Sequence, residues 1–209
     1  MTATHPASST SVGLRLYGKR VVLRPLVAQD FAAWSEVRQR NGDWLTQWEP
    51  LRPIHHPDPA TNRDVFAARC SARDRERNSG VSYSFGLFVD GALAGEINLN
   101  NVVRGALQMG TIGYWIDRSR AGNAYVAEAV VVLMRYAFED LHLHRIEVCI
   151  IPRNNNSLRV MQKIGIRQEG VAERFLEING VWEDHVRFGF TVEEWDARRS
   201  ELTSSWLAH

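Results

Sequence analysis

The stretch that decides the fold is GYWIDRSRAGNAYVAEAVVVLMRYAFED, residues 113–140. Its first five residues read as the end of a buried strand, within a third strand over 108–116. The loop RSRAGNAYV (118–126) leads straight into a long apolar helix, expected over about 126–140. Glu128, Arg135 and Glu139 fall on one polar stripe of that helix, and the rest is apolar or small, so it packs against a sheet. The small residues Ala121, Gly122 and Ala124 let backbone N–H groups come close to a ligand. A helix start adds partial positive charge there, so the turn suits a pyrophosphate, although glycine also serves many purely structural turns.

Downstream lies a second piece, PRNNNSLRVMQKIGI (152–166). It follows a strand expected over 144–151 and makes a short helix over about 155–163, stopped by Gly165. Asn154 can hydrogen-bond amides of an extended ligand or simply cap the helix. Ser157 puts a hydroxyl at the same helix start. Arg159 and Lys163 lie four apart on one face, to meet a phosphate or solvent. One helix and one strand separate the two pieces, as a βαβ-like unit requires.

Upstream, residues 19–26 read as a strand stopped by Pro25. Asp30 looks like an N-cap before a helix whose apolar face is Phe31, Trp34 and Val37. Residues 41–59 hold Trp44, Trp48, His55, His56 and four prolines, an irregular segment over a pocket or interface. Thr61 and Asp64 suggest a capped helix running to about residue 77. Residues 83–89 and 93–99 form a hairpin around Asp90-Gly91. Residues 175–178 and 186–191 are expected to close the fold around Asn179-Gly180. The order is strand, two helices, three strands, helix, strand, helix, two strands. That is an α/β (α+β) fold with a mixed sheet of about six to seven strands and about four helices.

Bulk properties bound the function. The chain has 209 residues, enough for one domain, expected over 13–209 behind a loose polar tail at 1–12. A formal net charge of +1 does not suggest direct nucleic-acid binding. Only Lys19 and Lys163 among 25 basic residues are lysines; the arginines favour bidentate contacts with phosphate or carboxylate. The start lacks a secretory pattern, and the most apolar stretch is too short and too charged to span a bilayer, so a cytoplasmic location is expected. Cys70 and Cys149 fit no metal spacing and read as reduced thiols; no metal is expected. His142, His144 and His185 read as packing or strand-surface residues.

In its matching stretches, GALAGEINL, IGYWID, AGNAYVAEAV, LHLHRIEVCIIPRNNNSLRVMQKIGI and NGVWEDHVRFGFTVEEW, the sequence resembles the GNAT acetyltransferases. It is most similar to the RimJ/RimL-like branch that acetylates ribosomal-protein N-termini. The resemblance covers more than half the chain. It implies a sheet splayed between two central parallel strands, with acetyl-CoA in the opening. It places the pyrophosphate on amides of Ala121, Gly122, Asn123, Ala124, Tyr125 and Val126. Pantetheine would run along Tyr114, Trp115 and Ile116, with Asn154, Ser157 and Arg159 as further contacts.

There are departures. Ala121 stands where the family loop opens on Gln or Arg, and Ala124 replaces its second glycine. One side-chain phosphate contact is therefore lost, with Arg118 or Arg120 as substitutes. The tyrosine acid of many relatives falls at Met161, so Ser157, or a water beside it, is the expected proton donor. Glu96, then Glu177, are the candidate bases or amine clamps. An α-amine with a pKa of roughly 8 is neutral about 300 times more often at neutral pH than a lysine near 10.4, worth about 3 kcal/mol. An N-terminal acceptor therefore needs only a weak base.

The expected partner is a protein or peptide N-terminus. The alternatives are a small amine such as an antibiotic or polyamine, which calls for a closed acidic pocket, and a non-catalytic acyl-CoA sensor. Exposed strand edges and the Trp-rich segment could support a homodimer. A dinucleotide oxidoreductase is excluded by the lack of G-x-G-x-x-G after an early strand.

Overall fold

Alternation of apolar residues builds, among the described residues, a mixed sheet of eight strands. The computed structural model describes residues 13–53 and 55–208, so the expected tail over 1–12 lies outside the described residues. The strands are β1 (Leu16–Tyr17), β2 (Val21–Arg24), β3 (Tyr83–Val89), β4 (Ala92–Val103), β5 (Met109–Ile116), β6 (Arg145–Ile150), β7 (Arg167–Ile178) and β8 (Val181–Thr191). Their spatial order is β1-β2-β3-β4-β5-β6-β8-β7. Every neighbouring pair is antiparallel except β5 and β6. The helices are α1 (Phe31–Arg40), α2 (Gly42–Thr46), α3 (Arg63–Asn78), α4 (Tyr125–Arg135), α5 (Asn155–Ile164) and α6 (Val192–Trp206).

The two faces of the sheet divide the work. Helix α4 is buried from Val126 to Met134 and packs on Ile97, Leu99, Ile112, Ile146 and Val148, as its apolar surface requires. Helices α1 and α3 cover the opposite face, where Trp34 and Phe66 form a second cluster. The polar stripe of α4 is also used inside. Glu128, 1% exposed, accepts from the amides of Arg20 (2.5 Å) and Val21 (3.0 Å) and from Arg20 Nε (2.9 Å). The edge of β2 is thereby fastened to the first turn of α4, and a buried charge is compensated by three donors.

Several expectations are refined. The N-cap of α3 is Asn62, whose Oδ1 accepts from Asp64 N (3.0 Å) and Val65 N (3.2 Å), rather than Thr61. Asp30 precedes α1, but its carboxylate is turned to Arg24 and Val27 N instead of the helix amides. Helix α4 gives way after Arg135 to a wider π turn over Tyr136–Asp140. Segment 41–59 contains the short α2, and Ile54 within it lies outside the described residues. The β7–β8 hairpin is far longer than expected, because most of β7 is exposed and polar and carries no two-residue apolar rhythm. Helix α6 was not expected. Its start is a capping box: Thr191 N donates to Glu194 Oε2 (2.8 Å) and Thr191 Oγ1 accepts from Glu194 N (3.5 Å).

Candidate active site

The two parallel strands touch over three residue pairs, Met109–Arg145, Gly110–Ile146 and Thr111–Glu147, and then diverge. Beyond Thr111, β5 still pairs with β4 as far as Ile116. The amide of Asp117 donates to Ala94 O (2.7 Å), and this sets the alternation. Gly113 and Trp115 aim their backbone groups at β4, so those of Tyr114 and Ile116 face the opening. The carbonyl of Ile116 there accepts from Trp44 Nε1 (3.2 Å). The remaining edge is free to take an extended chain as an added strand.

At the far end of β5 the loop enters α4 through two left-handed residues, Gly122 (φ +83°) and Ala124 (φ +63°). Ala124 is the N-cap and offers no side-chain acceptor. The first intrahelical bond here is Glu128 N to Ala124 O (3.1 Å), so the amides of Tyr125, Val126 and Ala127 point out of the helix end. An uncapped helix start bordering a cavity fits an anionic diphosphate. Of the two candidate substitutes, Arg120 faces the cavity, whereas Arg118 is stacked on Trp44 (5.5 Å). Asn123 does not line the cavity. Its side-chain Nδ2 instead closes the loop on Arg120 O and Ala121 O (both 3.2 Å), so any contact of Asn123 with the diphosphate falls to its backbone amide. A left-handed alanine costs about 1 kcal/mol that glycine would not. Ala124→Gly is therefore expected to raise Tm by about 2 °C in a thermal melt, and a lower Tm would contradict the strain.

Helix α5 brings the other half. Asn154 caps it, accepting from Ser157 N (3.1 Å), and both residues line the cavity with Arg159 and Lys163. The Ser157 hydroxyl lies beside the Tyr114 phenol, whose oxygen is buried and without a hydrogen bond of ordinary geometry among the described residues. Burial pushes the Tyr114 pKa well up and Ser157 pulls it down less, so the phenol stays protonated. Met161, where many relatives carry tyrosine, is fully buried in the core.

The cavity, about 1250 Å³, passes through the splay from the α4–α5 face to the α1–α3 face. On the latter it meets Trp34, Arg38, Arg69 and Arg73, which sequence reading missed because helix periodicity marks a face but not what that face leaves open. Trp44 and Trp48 do line it, as expected for segment 41–59. Its two carboxylates are both occupied: Glu49 by Arg38 (2.7 Å) and Asp58 by Arg52 (2.7 Å).

The carboxylates proposed as bases are placed elsewhere. Glu96 is 1% exposed and outside the cavity lining. It accepts from Trp34 Nε1 (2.5 Å) and Arg69 Nη2 (2.7 Å), so it is a post for the cavity wall rather than a free base. Glu177 stands exposed on β7 opposite Trp182, away from the cavity. Cys149 is on β6, where burial raises its thiol pKa. Among the described residues no group of three or more His, Cys, Asp or Glu could hold a metal ion, and no helix is long and apolar enough to cross a membrane.

A sheet opened between parallel strands, an uncapped helix start and a cavity reaching both faces define a class of enzymes that pass an acyl group between two substrates. The family model described as Acetyltransferase (GNAT) domain matches residues 20–167, and the chain belongs to this family. It is an N-acetyltransferase of the RimJ/RimL type. The Probable N-acetyltransferase YjcK of Bacillus subtilis (strain 168) is 36% identical over 172 residues, 81% of this chain and 93% of the relative. The [Ribosomal protein uS5]-alanine N-acetyltransferase of Escherichia coli (strain K12) is 30% identical, over 89% of this chain and 95% of its own. The solved structure of Mycobacterium smegmatis RimJ in complex with CoA-disulfide superposes with a TM-score of 0.80 at 32% identity, covering 91% and 92% of the two chains.

Proposed function

We propose that the protein transfers the acetyl group of acetyl-CoA to the N-terminal α-amine of a protein, a ribosomal protein being the leading candidate, by direct attack in a ternary complex. The observation that carries this reading is the single cavity joining the diphosphate-ready helix start on one sheet face to the arginine- and tryptophan-lined chamber on the other. Two substrates reach each other only through such a passage. The names of the Escherichia coli and Mycobacterium smegmatis relatives agree with it.

In this reading the amides of Tyr125, Val126 and Ala127, with Arg120, hold the diphosphate. The open edge at Tyr114 and Ile116 receives the pantetheine, and Asn154, Ser157 and Arg159 line its path. Free amides of that edge are the donors for the developing oxyanion. Ser157, or a water beside it, gives a proton to the leaving thiolate, and the proton lost by the newly acetylated nitrogen restores it. Among the described residues the chamber offers no unpaired carboxylate, so attack relies on the fraction of α-amine already neutral. The same observation disfavours a polyamine acceptor, which needs free carboxylates. With ribosomal proteins as acceptors, the protein works in the cytoplasm.

Incubation with acetyl-CoA and a library of ribosomal-protein N-terminal peptides tests this. Thiol release is expected, with mass spectrometry placing the acetyl group on the α-nitrogen. Stabilisation by acetyl-CoA without thiol release across peptides and small amines would instead identify an acyl-CoA sensor.

A further inference from the structure

On β4, Glu96, Asn98 and Asn100 project to the α1–α3 face by simple alternation. Glu96 is consumed by Trp34 and Arg69, but the two asparagines line the cavity. Asn100 Oδ1 accepts from Ser82 Oγ (3.3 Å), which leaves Nδ2 without a partner among the described residues. Asn98 Oδ1 is buried and unpartnered, so the accessible end of this amide is also Nδ2. Gly113 is the cross-strand neighbour of Asn98 and puts no side chain over the pair. A Cβ there would stand in contact with Asn100 Nδ2 at 3.7 Å. Two unused N–H donors therefore face the chamber immediately beyond the point where β5 and β6 part.

Such donors have no use for an amine, whose lone pair must stay free to attack. They suit a carbonyl oxygen held close to it. We infer that Asn98 and Asn100 bind the carbonyl of the acceptor's first peptide unit and so select α-amines of peptides over alkyl amines. The inference rests on the α-amine reading above and names what that reading leaves open, the group that makes an acceptor acceptable. A site built to hydrogen-bond a substrate group rejects analogues lacking it, because its own polar atoms are then left unpaired.

The test pairs enzyme variants with acceptor variants. One acceptor is an alanine-initiated peptide, the second is that peptide with its first carbonyl replaced by methylene, and the third is spermidine. Rates are compared at equal neutral-amine concentration. In the wild type, loss of the carbonyl is expected to lower kcat/KM about 100-fold. In Asn98→Ala/Asn100→Ala the same change is expected to cost less than about 3-fold, with the KM for acetyl-CoA unaltered. Asn100→Asp, which keeps the size but turns a donor into an acceptor, should lower peptide turnover and not that of the methylene analogue; it serves also if the double variant does not fold. An equal carbonyl effect in wild type and variants overturns the inference while leaving the α-amine reading intact. Acetylation of spermidine with no peptide turnover overturns that reading itself.

Discussion

Ser157→Ala is expected to lower kcat by roughly 100- to 1000-fold while leaving the KM for acetyl-CoA within about 3-fold of wild type. The residue occupies the first turn of α5, where the helix dipole favours negative charge developing on its oxygen. Its backbone amide, not its hydroxyl, is what Asn154 holds. Removing the hydroxyl therefore leaves the cap and the fold of α5 intact and isolates the proton transfer. Tyr114→Phe should give a smaller loss, because the phenol acts through Ser157. Single-turnover kinetics with an alanine-initiated peptide would measure both, and unchanged chemistry in Ser157→Ala would remove it from the mechanism.

The largest expected effect on stability lies at Asp117, just past the end of β5. Its side chain is 3% exposed and ion-paired with Arg40, and it accepts from Asn41 Nδ2 (3.0 Å) and Ser119 N (3.1 Å). Asn41 in turn accepts the amide of Arg118 (2.9 Å). This latch joins α1 and α2 to the loop that opens α4. Burial alone would raise the Asp117 pKa, but Arg40, Asn41 and Ser119 outweigh it and hold the carboxylate at about 2. Asp117→Ala strands these donors and is expected to cost about 3 kcal/mol, lowering Tm by roughly 6–12 °C. It should also weaken acetyl-CoA binding, since the loop loses its tether.

The pH dependence has a definite direction. A carboxylate whose folded pKa lies below its unfolded value stabilises fully above about pH 4. That contribution fades as pH falls through about 2. Calorimetry of wild type and Asp117→Asn should show the wild type ahead at pH 6 and the gap closing in that window. A gap that stayed constant down to pH 2 would deny the carboxylate this role.

Much of this was legible from local chemistry. The strand, glycine-bearing loop and apolar helix over 113–135 sit where their composition demands, and Gly165 ends α5 in the left-handed conformation expected of it. Glu96 shows where such reading stops. Alternation gives the face correctly, but only tertiary packing tells that Trp34 and Arg69 have already taken both oxygens. Asn98 and Asn100 had a signal, the polar rhythm of E-I-N-L-N over 96–100, which the more familiar carboxylate overshadowed. Helix α6 was announced by T-V-E-E at 191–194, yet it was hidden by its even mixture of polar and apolar residues. The length of β7 had no such cue, because a solvent-facing edge strand follows backbone pairing rather than burial.

A sheet whose halves share a seam three residue pairs long is mechanically two plates on a short spine. An acyl carrier lying along the open margin of β5 would act as a ninth strand, so the coenzyme would be part of the architecture as well as a reactant. Hydrogen exchange at Tyr114 and Ile116 would then be fast in the empty enzyme and slow in the filled one, and release of the spent thiol would require the plates to part again.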